Sequence, residues 1–503
     1  MLINPRRQSR STPRPLYTAS ACAELDRQVI TAGTPGYELM QRAARSAWLL
    51  LQQRWPQMQR INVFCGGGNN GGDGLLVALY AAQAGMAVRL WLAINPADYC
   101  NEAAQAWADV AAYGLQPQTT EPTAVDFAED EVLVDALLGI GLQGEVRGKL
   151  VDWIAAINAA KAPVLALDTP SGLWVDSGEF GHSVVRADIT LTFIACKPGL
   201  FTGRGAEVCG EVLLSDLGIK PEDWPVQVVA GLQQQMSHPL SPRKAAGHKG
   251  DHGRLLIIGG LTGMGGAALL AAQAALRCGA GMVKVITAPE YVAAFLAAQP
   301  EIMVEALQDK PQQQLQRAFD WADVLLIGPG LGQSPLAHEL WQASWNFNGA
   351  QLVDADALNL WAAGLTPPNC PQRVVTPHPG EAARLLGLLV DQVQQNRLRA
   401  VNQLVQHTAS VVLLKGAGSL VATPDGQQLP LICPFGNPGM GVAGMGDLLS
   451  GCIAALMAQG FSADQAAQLG VRIHAQAGDQ AAGDQPRGLL PSDLLPYLRK
   501  GVN

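Results

Sequence analysis

The residues of this sequence best suited to chemistry are aspartates standing just past glycine-rich turns. The fullest example is Asn437-Pro438-Gly439-Met440-Gly441-Val442-Ala443-Gly444-Met445-Gly446-Asp447, followed by the apolar run Leu448, Leu449, Cys452, Ile453 and Leu456. Glycines giving way to an apolar run mark a loop opening into a helix. The first N–H groups of a helix are unpaired and carry the positive end of its dipole, so a glycine loop can bring an anion onto them. A carboxylate there repels an anion unless its task is to take a proton. Ala443 to Gly446 thus form an expected anion cradle, with Asp447 as general base. The competing reading makes Asp447 a helix cap behind a flexible loop.

The first half of the chain holds three further clusters: Cys65-Gly66-Gly67-Gly68-Asn69-Asn70-Gly71-Gly72-Asp73-Gly74, Asp135 to Glu145, and Asp168-Thr169-Pro170-Ser171-Gly172-Leu173. Asn70, Asp135 and Ser171 offer amide, carboxylate and hydroxyl oxygens. Hard oxygen donors with a single charge suit a monovalent cation better than a transition metal; alternatively, each residue closes a strand–helix turn. In the second half, Lys415-Gly416-Ala417-Gly418-Ser419 lacks the order of a Walker A loop. It fits a hairpin tip, a nucleotide contact, or both. His378, between two prolines, is rigid and by itself fits a structural role.

These residues need a scaffold, and the hydrophobic pattern supplies one. Short apolar runs (Ile61–Phe64, Val88–Ala93, Val132–Asp135, Val164–Asp168, Ile189–Phe193, Glu211–Leu214) alternate with Ala-rich helical stretches near Leu75–Ala84, Ala103–Tyr113 and Val151–Ala160. A split helix is expected across Glu24–Pro56. The second half repeats the scheme with strands at Arg254–Ile258, Met282–Thr287, Val324–Ile327, Leu352–Val353, Val374–Val375 and Val411–Leu414. Such alternation predicts α/β domains with parallel sheets, whose chemistry gathers at the carboxyl ends of the strands. The polar clusters all fall at those ends.

A chain of 503 residues suggests two or three domains. Prolines and the run Gln233-Gln234-Gln235 place a boundary near Gln235, giving domains 17–235 and 236–503. Net charge is −8 and no long basic run points to nucleic acid. Arg6, Arg7, Arg10 and Arg14 lie in a Ser/Pro-rich start expected to be an unordered leader, without the apolar core of a secretory signal. No stretch is apolar enough for a membrane span. The nine scattered cysteines predict reduced, buried thiols in a cytoplasmic protein, and the eight histidines show no zinc spacing.

In the first half, G-x-G-N-N-G-G-D-G, V-D-A-L-x-G-x-G and D-x-P-S-G-L resemble the N-terminal domain of the bifunctional NAD(P)H-hydrate repair enzymes. In the second, K-G-D-H-G, G-P-G-L-G, D-A-D-A-L-N, T-P-H-P-G-E, K-G-A-G-S and G-M-G-D resemble the ADP-dependent dehydratase domain of that family. The resemblance implies a Rossmann-like epimerase domain that binds potassium and a ribokinase-like dehydratase domain. Asn70, Asp135 and Ser171 would hold the potassium. Asn69, Asn70, Gly71, Gly72, Asp73, Gly139, Ile140, Gly141, Leu142, Gln143, Gly144, Glu145 and Asp168 would face the hydrated nucleotide, Asp168 as acid–base group. In the second domain Ala267, Gly330, His378 and Asp447 would contact the hydrated nucleotide, with Asp447 as base. Lys415, Gly416, Ala417, Gly418, Ser419 and Gly446 would contact ADP, with Mg²⁺ assisting. The chain departs from the family at Thr169 and at Gly441-Val442-Ala443, the latter bearing on the anion cradle. A homo-oligomer is expected. The alternative function is a ribokinase-like small-molecule kinase fused to a ligand-binding domain.

Overall fold

The computed structural model describes residues 2–7, 12–124, 127–142, 144–234, 240–426 and 428–503. The chain divides into two compact units, Met1–Gln234 and Gln235–Asn503. No helix among the described residues is long and apolar enough to cross a membrane.

In the first unit a seven-stranded sheet runs in the order Leu2–Ile3, Glu211–Ser215, Ile189–Phe193, Val164–Leu167, Glu131–Ala136, Arg60–Cys65, Ala87–Leu92. All neighbours are parallel except the first pair. Side chains alternate across such a sheet. Ile61, Val63 and Cys65 join the core under the helices Ala19–Thr31, Gly36–Arg54, Asn69–Gln83 and Asn101–Tyr113, while Phe64 joins the opposite core with Trp153 of Lys149–Ala159. The chain's direction across the sheet reverses between Arg60–Cys65 and Glu131–Ala136. That crevice is where open α/β sheets bind ligands.

Three expectations are corrected here. The basic start is not an unordered leader throughout: Leu2–Ile3 extends the sheet antiparallel to Leu214 and Ser215, and Arg14–Tyr17 pairs with Val228–Leu232. Arg10 lies outside the described residues. The helix expected near Leu75 begins at Asn69, so Asn69 to Gly74 form its first turns rather than a loop. Those glycines serve close packing: a Cβ on Gly71 would lie 1.9 Å from the Gly66 carbonyl oxygen, and one on Gly74 would lie 2.5 Å from the Ala136 Cβ. Finally, Cys100 is exposed and Cys370 half-buried, although the other seven thiols are buried and all nine are free.

In the second unit the strands follow the order Met303–Ala306, Met282–Thr287, Arg254–Ile258, Val324–Ile327, Ala350–Val353, Arg373–Val375, Val411–Leu414, Ser419–Ala422, Leu431–Cys433. The first seven are parallel, and each of the last two runs antiparallel to the strand before it. The helix Met445–Ala458 is buried along almost its whole length after the first turn. It lies so close to Gly265–Arg277 that a Cβ on Gly451 would come within 2.0 Å of the Ala271 carbonyl oxygen. Apolar burial on all sides fixes this helix, and with it the loop at its N-terminus.

Candidate functional site

A cavity of about 610 Å³ opens at the crevice of the first unit. Of the residues expected to face the hydrated nucleotide, Asn69, Asn70, Asp73, Gly139, Ile140, Gly141, Leu142 and Asp168 line this cavity. Gly71 and Gly72 do not: they face the Gly66 carbonyl and the Met40 side chain. Gly144 accepts a hydrogen bond from Trp174 through its carbonyl (2.9 Å), and the exposed Glu145 lies 3.8 Å from His182. Gln143 lies outside the described residues.

Asp168 ends its strand with φ +63°. Its Oδ1 accepts from Lys197 Nζ (2.5 Å), Thr192 Oγ1 (3.2 Å) and the Phe193 N–H (3.2 Å). Burial pulls the Lys197 ammonium toward deprotonation, but its surrounding acids, Asp168 first and then Cys22 and Cys196, together more than reverse this and leave its pKa above the ordinary value. Asp73 and Asp26 share the cavity. Burial first, then the charge of Asp168, holds the Asp73 carboxyl well above the usual range and raises Asp26 to about 6.

Asp135 is fully buried at the end of the strand Glu131–Ala136 and does not line the cavity. It accepts from Ser171 Oγ (2.6 Å), the Ser171 N–H (2.8 Å) and the Leu137 N–H (3.2 Å). Ser171 Oγ also accepts from the Leu138 N–H at 2.8 Å. The next residue, Gly139, is packed against Asn70, whose amide nitrogen and oxygen are both buried with no hydrogen-bond partner among the described residues. An orphaned buried amide costs about 1–3 kcal/mol. Its open oxygen beside a carboxylate–hydroxyl pair is a donor set a monovalent cation would satisfy.

In the second unit the polar residues meet around Lys415. Its Nζ donates to Asp354 Oδ1 at 2.8 Å and lies 3.9 Å from Glu381 Oε2. Ser450, from the buried helix, donates to the other Asp354 oxygen at 2.6 Å. Gly446 makes room for the ammonium, since a Cβ there would sit 3.3 Å from Lys415 Nζ. Gly444 is the helix N-cap with φ +94°, and no side chain caps this helix. Asp447 therefore stands in the first turn as an uncapping carboxylate, which removes the competing cap reading. Burial and the charge of Asp354 push Asp447 up to about 7, against the pull of Lys415. Burial likewise raises Glu381 to about 7.

His378 caps the helix Pro379–Leu386: Nδ1 accepts from the Gly380 N–H (3.0 Å), while the His378 backbone N–H donates to Glu381 Oε2 (2.8 Å). Gly330, at φ +61°, leaves space beside the Met264 carbonyl and the Ala267 Cβ. Lys415 to Gly418 form a hairpin tip, with Leu414 opposite Leu420. Gly416 rests on the Arg397 guanidinium, and Ser419 Oγ donates to the Gly416 carbonyl at 3.0 Å.

Four residues escaped notice as functional candidates: Lys197, Asp354, Glu381 and Ser450. Asp354 and Glu381 stand inside recognised strand-end loops, but only the fold shows that both face one lysine.

The chain matches two family profiles, one described as NAD(P)H-hydrate dehydratase over residues 255–500 and one as YjeF-related protein N-terminus over residues 36–199. It is 44% identical to a bifunctional NAD(P)H-hydrate repair enzyme of Coxiella burnetii, covering 97% of this chain and 99% of that one. It is 42% identical to the enzyme of the same description from Escherichia coli, over 89% and 85%. A solved ADP/ATP-dependent NAD(P)H-hydrate dehydratase from Bacillus subtilis matches 52% of this chain and 93% of its own at 26% identity, with a TM-score of 0.46. With both halves matched in one continuous chain, the protein belongs to the bifunctional NAD(P)H-hydrate repair enzymes.

Proposed function

We propose that the two sites divide one repair reaction between them, with Asp168 and Asp447 as the proton-handling groups. The chain is a bifunctional enzyme whose first unit is the epimerase and whose second is the ADP-dependent dehydratase. Its substrates are hydrated NADH and NADPH, which carry a hydroxyl at C6 of the nicotinamide ring, and a nucleotide. In the first unit Asp168 takes the C6 hydroxyl proton as the ring N1–C6 bond opens to an aldehyde at C6, and returns it to that oxygen when N1 recloses on the other face, so that the R epimer reaches the S form. In the second, Asp447 takes the C6 hydroxyl proton as that oxygen attacks the terminal phosphorus of ADP, releasing AMP. Phosphate then departs from C6, the ring nitrogen supplying electrons, and loss of a C5 proton restores the double bond.

The observation that carries this reading is the position of Asp447. It sits in the first turn of a rigid, uncapped helix, behind a left-handed glycine and beside the Asp354–Lys415 pair. N–H groups there can stabilise the transferring phosphoryl charge. A base with a pKa of about 7 is matched to neutral operation. Lys415 through Ser419 and Gly446 are assigned to ADP, and Ala267, Gly330 and His378 to the hydrated ring and its nucleotide. Asn70, Asp135 and Ser171 would hold potassium, supported by the orphaned Asn70 amide; its charge would steady the nucleotide's anionic groups. Magnesium prefers hard oxygens; the Glu381 carboxylate beside Lys415 is of that kind, and the ion would supply charge neutralisation at the transferring phosphoryl group.

The test is to incubate mixed R and S NADH hydrate with the purified chain, ADP, magnesium and potassium, and to follow the nicotinamide absorbance. Consumption of both epimers is expected. Consumption of the S form alone would remove the epimerase assignment. A stable phosphorylated product with ATP, and no returning absorbance, would favour a kinase instead.

A further inference from the structure

The epimerase site contains one buried cation that nothing above has used. Lys197 follows Cys196 on the loop after the strand Ile189–Phe193, and its side chain is 2% exposed. It lines the same cavity as Asp168. Its ammonium has three N–H bonds to give, and three acceptors surround it: Asp168 Oδ1 (2.5 Å), Thr192 Oγ1 (2.8 Å) and the Phe193 carbonyl (3.2 Å). The lysine is therefore saturated and has no proton geometry left for substrate. Asp168 is treated unequally. Three donors converge on Oδ1, whereas among the described residues none reaches Oδ2. The backbone is strained to match: Asp168 and Ile194, at adjacent strand ends on the cavity wall, both have left-handed φ, +63° and +60°. Strain of this kind persists only where surrounding bonds over-determine it, and it clusters at working sites.

We propose that Lys197 is a positioning residue of the epimerase: it fixes Asp168 by Oδ1 so that Oδ2 alone is presented to the hydrated nucleotide as the atom that takes and returns the proton. This rests on the epimerase reading of the first unit. The ammonium also sets the charge of the site. Facing it are Cys22 and Asp26 from the helix Ala19–Thr31 and Cys196 beside it, while Asp73 from Asn69–Gln83 and Glu102 line the same cavity. All of these are acids, and burial keeps Cys22, Asp26, Asp73 and Cys196 toward their neutral forms. Among the described residues lining the cavity, Lys197 is thus the one lysine or arginine, and it is bonded to the carboxylate that takes and returns the proton. Without it, Asp168 would stand uncompensated among neighbours that disfavour its charge.

The experiment uses the full-length chain with the R epimer of NADH hydrate, following interconversion by chromatography without ADP. For Lys197→Ala, kcat should fall about 100-fold while KM stays within about threefold, as for loss of an oriented base. The acid limb of its kcat–pH profile should move to higher pH. Added ethylammonium, entering the cavity as a detached side chain, should restore about tenfold. A folded Lys197→Ala with kcat within about threefold and an unmoved acid limb would overturn the role, as would a loss confined to KM. If that variant does not fold, Thr192→Val decides. It keeps the ammonium and removes one hydrogen bond from each partner: a fall of about five- to tenfold with the same limb shift is expected, and an unchanged profile overturns the proposal. A wild-type chain that does not interconvert the epimers would instead overturn the epimerase reading, and this role with it.

Discussion

Replacing Asp447 with asparagine should make the second unit less active and more stable at once. Burial and Asp354 hold this carboxyl at about 7 against an ordinary value of 3.8. The sign follows from linkage. Below the unfolded-chain value both states carry the proton and nothing is lost. Between about 4 and 7 the unfolded chain has released its proton while the native one retains it, so stability declines as pH rises, the full cost being present above about 7. A shift of about three units corresponds to about 4 kcal/mol; since Asp447 keeps some contact with water, we expect Asp447→Asn to gain about 2–4 kcal/mol at about pH 8, or about 5–10 °C in Tm, and nothing near pH 4. The same change removes the base: dehydration of the S hydrate should fall about 10²–10⁴-fold in kcat. In the wild type, kcat should rise about tenfold between about pH 6 and pH 8, following the ionised fraction of a group near 7. Calorimetry and initial rates on the same preparations test both halves. A variant that keeps a tenth of its activity, or that loses stability at high pH while gaining it at low pH, would refute the assignment.

Other expectations concern particular atoms. Gly71→Ala would press a Cβ to 1.9 Å from the Gly66 oxygen, and should cost about 3 kcal/mol of first-unit stability by denaturant titration; Gly68→Ala, with nothing within 4 Å, should cost less than about 1 kcal/mol. Exchanging potassium for tetramethylammonium, or making Asn70→Ala, should abolish hydrate binding by the first unit in titration calorimetry; retained affinity in both would remove the cation site. Lys415→Met leaves Asp354 buried at 1% exposure with its charge unpaired, costing about 3–5 kcal/mol. Adding Asp354→Leu should recover much of that loss, and simple additivity of the two would deny the pair.

Much of the scaffold was legible because the strands are short apolar runs buried on both faces. Ile189–Phe193, Arg254–Ile258, Val324–Ile327 and Val411–Leu414 fall where their composition puts them. What failed was the meaning of glycine. The run Gly71-Gly72-Asp73-Gly74 has the composition of a loop, yet it is helical, because each missing side chain is the room for a neighbouring strand, turn or methionine. No local pattern distinguishes a glycine that frees the backbone from one that admits another backbone. The site shows the same divide. Asp168 and Asp447 announce themselves by standing at strand and loop ends. Lys197 is an isolated lysine in Ala195-Cys196-Lys197-Pro198, and its partner lies 29 residues away. Asp354 meets Lys415 across 61 residues and Ser450 across 96. Those pairings exist only once the parallel strands have brought their ends together.

The packing role of Gly71 and Gly74 has an evolutionary corollary. Steric necessity and chemistry act on different letters of the same nine-residue motif: the glycines answer to the sheet beneath them, whereas Asn70, its amide without a partner among the described residues, is the one proposed to answer to a ligand. Should a lineage cease to need the epimerase but keep the domain as a folded body, selection would relax on Asn70 and Asp168 and persist on the glycines. A descendant of that kind would still be recognised by its glycine spacing. Which half of the motif survives would then tell a retired enzyme from a working one.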